Sequence, residues 1–276
     1  MSVDSIPFYR DRMESPSCLP PWGLYDWLEY AQAHQDPFGG RKLPGALPLV
    51  VVQLEGPSDP PLYLALGRQE LRGWARAVTY LWRLWGVGPG QIIALYDYGS
   101  SPMVFLAHRR YTPHLQRGAA DALGAKPICN DGLASMAPRM VEIFRYLRPQ
   151  GLIVRAELVS PLAHACREMG VTPEEFLSFV VLTEAEGVPK AAVPWRVTTL
   201  KTWRADAAFF VAGECPLCRL FHVPPLYRLA RHEDGTLLVS APFGEIFPVV
   251  GYRLGPAHLE KPGCPRESSA WRLRPC

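Results

Sequence analysis

The clearest periodic signal in the chain lies between residues 69 and 85, where Leu71, Trp74, Ala75, Val78, Leu81 and Leu84 recur at helical spacing. The run Gly86-Val87-Gly88-Pro89-Gly90 stops that helix, because glycine leaves helical φ/ψ freely and proline cannot continue the hydrogen-bond ladder. Beyond it, short apolar runs alternate with amphipathic stretches. The pattern predicts strands at 92–96, 126–129, 152–154 and 179–182, and helices at 118–124, 139–147 and 162–169. Thr172-Pro173-Glu174-Glu175 adds a capped turn with proline at the first helical position. Helices alternating with short buried strands imply βαβ units and a largely parallel sheet, so the expected fold class is α/β.

The two ends of the chain have a different texture. Residues 1–60 are proline-rich and weakly periodic, with a short helix predicted over 24–30 and a strand over 49–53. After about residue 200 the pattern becomes extended runs at 207–212, 226–231, 236–240 and 245–253, with the hairpin signal Glu233-Asp234-Gly235 between the second and third. The expected organisation is an N-terminal segment (1–60), an α/β part (61–200) and a small antiparallel β part (201–276).

Composition narrows the function classes. The 276 residues suit one large domain, or one plus a small one. A hydrophobic share of 48% with 20% charged residues can build a core and is not that of a disordered chain. No apolar run reaches the roughly 18 residues that cross a bilayer, and the N-terminus lacks a basic stretch followed by an apolar one, so neither a span nor a secretory signal is expected. A net charge of +3 is too small to argue for nucleic acid or anionic lipid. The 29 prolines imply short elements and stiff turns.

The seven cysteines are Cys18, Cys129, Cys166, Cys215, Cys218, Cys264 and Cys276. An odd number without a leader points to the reducing cytosol, where thiols are buried, catalytic or metal-bound. Cys129 and Cys166 lie in apolar or helical surroundings and read as inert core thiols. Cys215-Pro216-Leu217-Cys218 is a C-x-x-C with His222 four residues on, the most chemically specific short feature of the chain. A redox role would need a helix N-terminus to lower the thiol pKa, and this motif follows a strand. No phosphate loop of the form G-x-x-x-x-G-K-[ST] and no G-x-S-x-G elbow occurs. Trp74, Trp82 and Trp85 read as core or as an exposed patch, and Arg109-Arg110-Tyr111 between His108 and His114 as a solvated basic face.

Taken in order, the short motifs resemble those of one known family. Pro7-Phe8-Tyr9-Arg10, Asp36-Pro37-Phe38-Gly39, the 69–74 helix start, Gly86-Val87-Gly88-Pro89-Gly90, Tyr98-Gly99, residues 118–125 and Leu147-Arg148-Pro149 follow the order of the phenylacetate–CoA ligase branch of the adenylate-forming enzymes. Thr183-Glu184-Ala185-Glu186 is similar to that branch's "GAEP". Val211-Ala212-Gly213-Glu214-Cys215 with His222 resembles its "VAFEC" and following "GLH". Pro248-Val249-Val250-Gly251-Tyr252-Arg253 resembles "PxxRYR", and Cys264 stands where the branch carries C-x-C-G. The resemblance implies the fold of an adenylate-forming N-terminal domain. It places Glu186, Glu214 and Arg253 at cofactor- or substrate-binding positions. It also implies a structural zinc on Cys215, Cys218, His222 and Cys264, with Cys276 as the alternative to Cys264; three thiolates and one imidazole make a closed zinc site.

The departures from the pattern bear on chemistry. The family's hydroxyl-rich phosphate loop corresponds to residues 54–61, Leu-Glu-Gly-Pro-Ser-Asp-Pro-Pro, in which prolines remove backbone donors and carboxylates repel phosphate. The magnesium-binding "YG-x-[ST]-E" falls near Lys201-Thr202-Trp203-Arg204-Ala205, without its Tyr or Glu. The ribose-binding Asp corresponds to Pro256. The chain ends soon after Cys264, so the family's mobile C-terminal domain, with its catalytic lysine, is expected to be missing. ATP and Mg²⁺ are therefore expected to bind poorly, no catalytic residue is assigned, and the expected role is a degenerate binding or regulatory module. The resemblance leaves open an AMP-forming acid–thiol ligase completed by a separate chain, and a nucleotide-independent carboxylate-binding protein. Partners left open are a protein in place of the mobile domain, an aryl or acyl carboxylate, and a second copy of the chain; nucleic acid and membrane are not among them.

Overall fold

The computed structural model describes residues 3–13, 15, 19–54, 59, 61–260, 263–267 and 270–275. Helices α1 (Pro7–Arg10) and α2 (Leu24–His34) precede an antiparallel hairpin of β1 (Val50–Gln53) and β2 (Tyr63–Leu66). Then comes the long helix α3 (Arg68–Leu84), one residue from its predicted start and end. The strands β3 (Ile92–Asp97), β4 (Lys126–Asp131), β5 (Gly151–Arg155) and β6 (Phe179–Thr183) follow, with helices α4 (Pro102–Phe105), α5 (Ala119–Leu123), α6 (Ala137–Leu147) and α7 (Val159–Glu168) between them. The chain closes with β7 (Glu186–Gly187), β8 (Thr198–Ala205), β9 (Phe210–Glu214), β10 (Phe221–His222), β11 (Arg228–Arg231), β12 (Thr236–Ala241), β13 (Val249–Glu260) and β14 (Arg272–Pro275).

One sheet runs through the molecule in the order β11-β12-β13-β14-β10-β9-β8-β6-β5-β3-β4, with β7 paired to β8. The pairs β4/β3, β3/β5, β5/β6 and β6/β8 are parallel, as the βαβ pattern predicts, and the remainder is antiparallel. Side chains of a strand alternate between faces, and both faces of the parallel part are covered. Ile93, Leu95, Ile153 and Val181 join the core beneath α3, whereas Ala94, Tyr96, Leu152, Val154, Val180 and Leu182 join the core of α6 and α7. Burial on both sides explains why these strands read as continuous apolar runs without alternation.

Three sequence expectations change. The strand expected over 207–212 begins at Phe210, because residues 206–208 form a 3-10 turn. The strand before it, β8, carries Thr, Lys and Arg and has no apolar run to announce it. The extended run expected over 245–253 is a turn up to Pro248 followed by the twelve-residue β13. Trp74, Trp82 and Trp85 are all buried, so they are core and form no exposed patch. Most of the 54–61 loop, at 55–58 and 60, falls outside the described residues, as do Cys18 and Cys276.

The apolar face of α3 lies on β9, and glycines permit the approach. A Cβ at Gly213 would stand 2.9 Å from Leu81, and one at Gly73 would stand 2.3 Å from the Phe243 ring. The N-terminus of α3 is held by Glu70, which is fully buried. One of its oxygens accepts the Gly67 N–H that caps the helix. The other accepts the N–H groups of Glu245, Ile246 and Phe247. The N-terminal segment docks in turn through Arg41. Its guanidinium is buried 4.3–4.4 Å from the Trp22, Trp27 and Phe247 rings and donates to the Ala207 carbonyl at 2.7 Å. Burial lowers Arg41 to about 10.

Glu70→Ala strips the acceptor from the three N–H groups of the 245–247 turn, those of Ile246 and Phe247 buried, and is expected to cost ~3 kcal/mol in a urea unfolding curve. Glu70→Gln keeps one carbonyl acceptor there and is expected to cost clearly less.

Candidate functional site

Open α/β sheets bind ligands outside the carboxyl ends of their parallel strands, where the strand order reverses. Here the reversal is at β3, whose neighbours β4 and β5 lie on opposite sides. Four adjacent strands carry polar residues at or next to that end: Asp97 on β3, Arg155 on β5, Thr183 on β6 and Arg204, the last residue but one of β8. Asp97 Oδ2 accepts from Ser101 Oγ at 2.8 Å and Thr183 Oγ1 at 2.6 Å, and lies 3.5 Å from Arg204 Nη1. Asp97 Oδ1 accepts from the Tyr98 N–H and lies 3.8 Å from Arg155. Arg204 is fully buried and forks onto both oxygens of Asp206 in the turn after β8. Two cations and two anions are thus spent on each other. Sequence reading names Thr183 and Arg204 only as parts of family-like stretches and gives none of these residues a role, although Asp97 closing a buried apolar strand and the Arg204-x-Asp206 spacing are both visible.

Glu186 lies at the rim of this cluster on β7, opposite Ala205. Tyr252 Oη donates to its Oε2 at 3.4 Å. Burial, and then the nearby Asp206 charge, push the Glu186 carboxyl up to about 8. The other two residues assigned by resemblance stand elsewhere. Glu214, at the end of β9, is buried and pairs with Arg219 at 2.8 Å; burial raises its carboxyl despite that partner. Arg253 is exposed on β13, the strand position after the inward-facing Tyr252. Among the described residues no hydrogen bond or ion pair joins any two of the three.

Cys215, Cys218, His222 and Cys264 do converge. Their ligand atoms all lie within 4.8 Å of one another. Cys215 and Cys218 bracket a tight turn closed by the Cys215 N–H to the Leu220 carbonyl and by the Arg219 N–H to the Cys215 carbonyl. The turn returns the chain as β10 beside β9, and Cys264 arrives from the segment after β13. The Cys215–Cys264 sulfur separation is 3.7 Å and that from Cys218 Sγ to His222 Nε2 is 3.2 Å. Thiolates about 2.3 Å from a tetrahedral ion stand about 3.8 Å apart, so the spacing fits. Burial lowers His222, with the Arg272 charge adding to it, which keeps the imidazole in its neutral, ligating form. Burial raises Cys215 to about 11, so loading a metal there would displace protons. The four residues could hold a metal ion. Cys129 and Cys166 stand apart from them, and burial raises both thiols, to about 11 and about 12.

Comparison with solved structures gives the fold its class. The chain is similar to 2-hydroxyisobutyryl-CoA ligase in complex with 2-HIB-AMP and CoA in the thioesterification state, with a TM-score of 0.79 and 18% identity over 99% of this chain and 63% of that one. The same ligase in an open conformation with 2-HIB-AMP and CoA gives 0.77 and 18% over 98% of this chain and 69% of that one. Its postadenylation state with 2-HIB-AMP gives 0.78 and 19% over 99% and 63%. The fold is therefore that of an adenylate-forming acyl-CoA ligase, and the chain spans 63–69% of the length of these structures. No protein-family profile and no curated protein sequence matches the chain. Among the described residues, no helix is long and apolar enough to cross a membrane.

Two outcomes follow from this geometry. Purified protein is expected to contain about one metal ion per chain by elemental analysis. Chelation or Cys218→Ser is expected to lower the melting temperature, because an ion held there would tie the β9–β10 turn to the segment after β13. Glu186 holds a proton in the folded chain between its ordinary pKa of 4.5 and its raised value of about 8. The unfolded chain has released that proton, so stability falls as pH rises through this window. Glu186→Gln removes the penalty, and the gap in melting temperature between variant and parent is expected to widen between about pH 5 and about pH 9.

Proposed function

We propose that this chain is a catalytically degenerate relative of the phenylacetate–CoA ligase-like enzymes, stapled by zinc at Cys215, Cys218, His222 and Cys264, and that it serves as a binding or regulatory module. The observation that carries the reading is the closure of the sheet edge by its own charges. A triphosphate needs uncommitted cations and backbone donors. The buried Arg204 is committed to Asp206 and Asp97, and Arg155 lies between Asp97 and Glu157. Pro256, at the position of the family's ribose-binding Asp, is an exposed residue of β13 opposite Thr236 and offers no side-chain acceptor. The composition of residues 54–61 points the same way. The ion at the four-residue cluster is structural in this reading: three thiolates and one imidazole leave it no open coordination position.

A second reading, a ligase completed by a separate chain, draws support from the carboxylates Glu186 and Asp206 at the sheet edge. The two readings part on the reaction intermediate, which needs no second chain in order to bind. A non-hydrolysable sulfamate analogue of phenylacetyl-adenylate is expected to leave hydrogen exchange at residues 97–101, 183–186 and 202–206 unchanged up to millimolar concentration. Saturable protection of those amides would overturn the degenerate reading and favour the ligase.

A further inference from the structure

The outer face of α3 borders a cavity of about 530 Å³, away from the sheet edge. Its walls carry Arg68, Arg72, Arg76, Arg83, Arg117 and His114, and no carboxylate. The four arginines of α3 are exposed along one face of the helix, over about 22 Å at 1.5 Å per residue. Among the described residues none of the five arginines has a carboxylate within ion-pair distance; Arg117 donates to the Ala122 carbonyl. Leu71, Leu115, Pro224, Leu226 and the half-buried Tyr80 give the cavity an apolar side.

This arrangement is costly for the helix alone. Arg68/Arg72 and Arg72/Arg76 are like-charge pairs at i,i+4, which destabilise a helix where opposite pairs would support it. Arg68 also sits at the positive end of the helix dipole. A solvated face of a chain with net charge only +3 has no need of such a row. An anion bound across the row would remove both penalties. The volume lies within the 300–1,000 Å³ of small-molecule sites, and the apolar side suits a flat ring.

We propose that this cavity binds a small molecule carrying a run of at least two phosphates, held by Arg72 and Arg76 on one wall and Arg117 on the other. Guanidinium forks match phosphate oxygens in pairs, which sets them apart from a merely positive surface. The site is independent of the sheet edge and implies no reaction there.

Calorimetric titration of the metal-loaded chain with inorganic tripolyphosphate, and separately with ATP, tests the proposal. Saturable 1:1 binding of either is expected, weakening steeply between about 50 and 200 mM salt. Arg72→Glu with Arg76→Glu is expected to weaken it by roughly a hundredfold through loss of two charge-assisted contacts. Arg72→Gln with Arg76→Gln, which preserves helix propensity, is expected to weaken it in the same direction with an unchanged circular dichroism spectrum. Tighter binding of ATP would identify a nucleoside polyphosphate as the occupant, and equal binding would identify the phosphate chain alone. No binding of either at low salt would overturn the proposal. So would binding indifferent to both double variants, or a marked preference for an oligonucleotide or an acidic peptide.

Discussion

Two guanidiniums have no access to water, Arg41 in its aromatic cage and Arg204, and Arg204 is compensated by carboxylates, those of Asp97 and Asp206. Breaking such a buried pair by removing one partner costs on the order of 3–5 kcal/mol, because it strands the other charge. The group also joins separate parts of the fold. Asp97 ends β3, Thr183 ends β6, Arg204 lies on β8 and Asp206 sits in the turn leading to β9. With Arg155 beside Asp97, the cluster thus fixes the edge at which a fold of this kind would receive a ligand, and its two guanidiniums and two carboxylates leave no net charge over.

The surroundings reinforce that edge. Arg41 donates to the carbonyl of Ala207, the neighbour of Asp206, from within a cage of Trp22, Trp27 and Phe247. The proline-rich N-terminal segment therefore anchors the turn that carries the second carboxylate. Glu70 anchors Phe247 and the two residues before it, so the cage and the start of α3 share one loop. At the other end of α3, Trp85 donates to the Glu214 carbonyl, the residue before Cys215, and places the cysteine turn against the same helix. A metal at the cysteine cluster and the charges at the sheet edge would then stabilise opposite ends of one scaffold.

The parallel half of the fold was legible because its strands are buried on both faces and α3 has an uninterrupted apolar stripe ended by Gly86 to Gly90. The antiparallel half was less so. β8 is polar in sequence because its buried polar residues are satisfied from other elements, Arg204 by Asp97 and Asp206 and Thr202 by the Leu182 carbonyl, and a pattern search reads such a stretch as loop. The cysteine cluster was found from the Cys215–Cys218–His222 spacing, whereas its fourth member depended on the order of family motifs. The edge cluster escaped because Asp97, Thr183 and the Arg204–Asp206 pair are far apart in sequence and are brought together only by the order of the strands. Glu186 was singled out, but its raised carboxyl depends on burial and on Asp206, neither of which shows in one sequence.

The central claim is that the sheet edge no longer accepts a nucleotide. The most direct measurement is calorimetric titration of Mg·ATP into the metal-loaded chain carrying Arg72→Glu and Arg76→Glu, so that the α3 cavity cannot contribute. The account predicts no saturable heat up to millimolar nucleotide. Sub-millimolar, saturable binding lost on Arg204→Ala in a chain that remains folded would contradict it, and would make the edge a working nucleotide site.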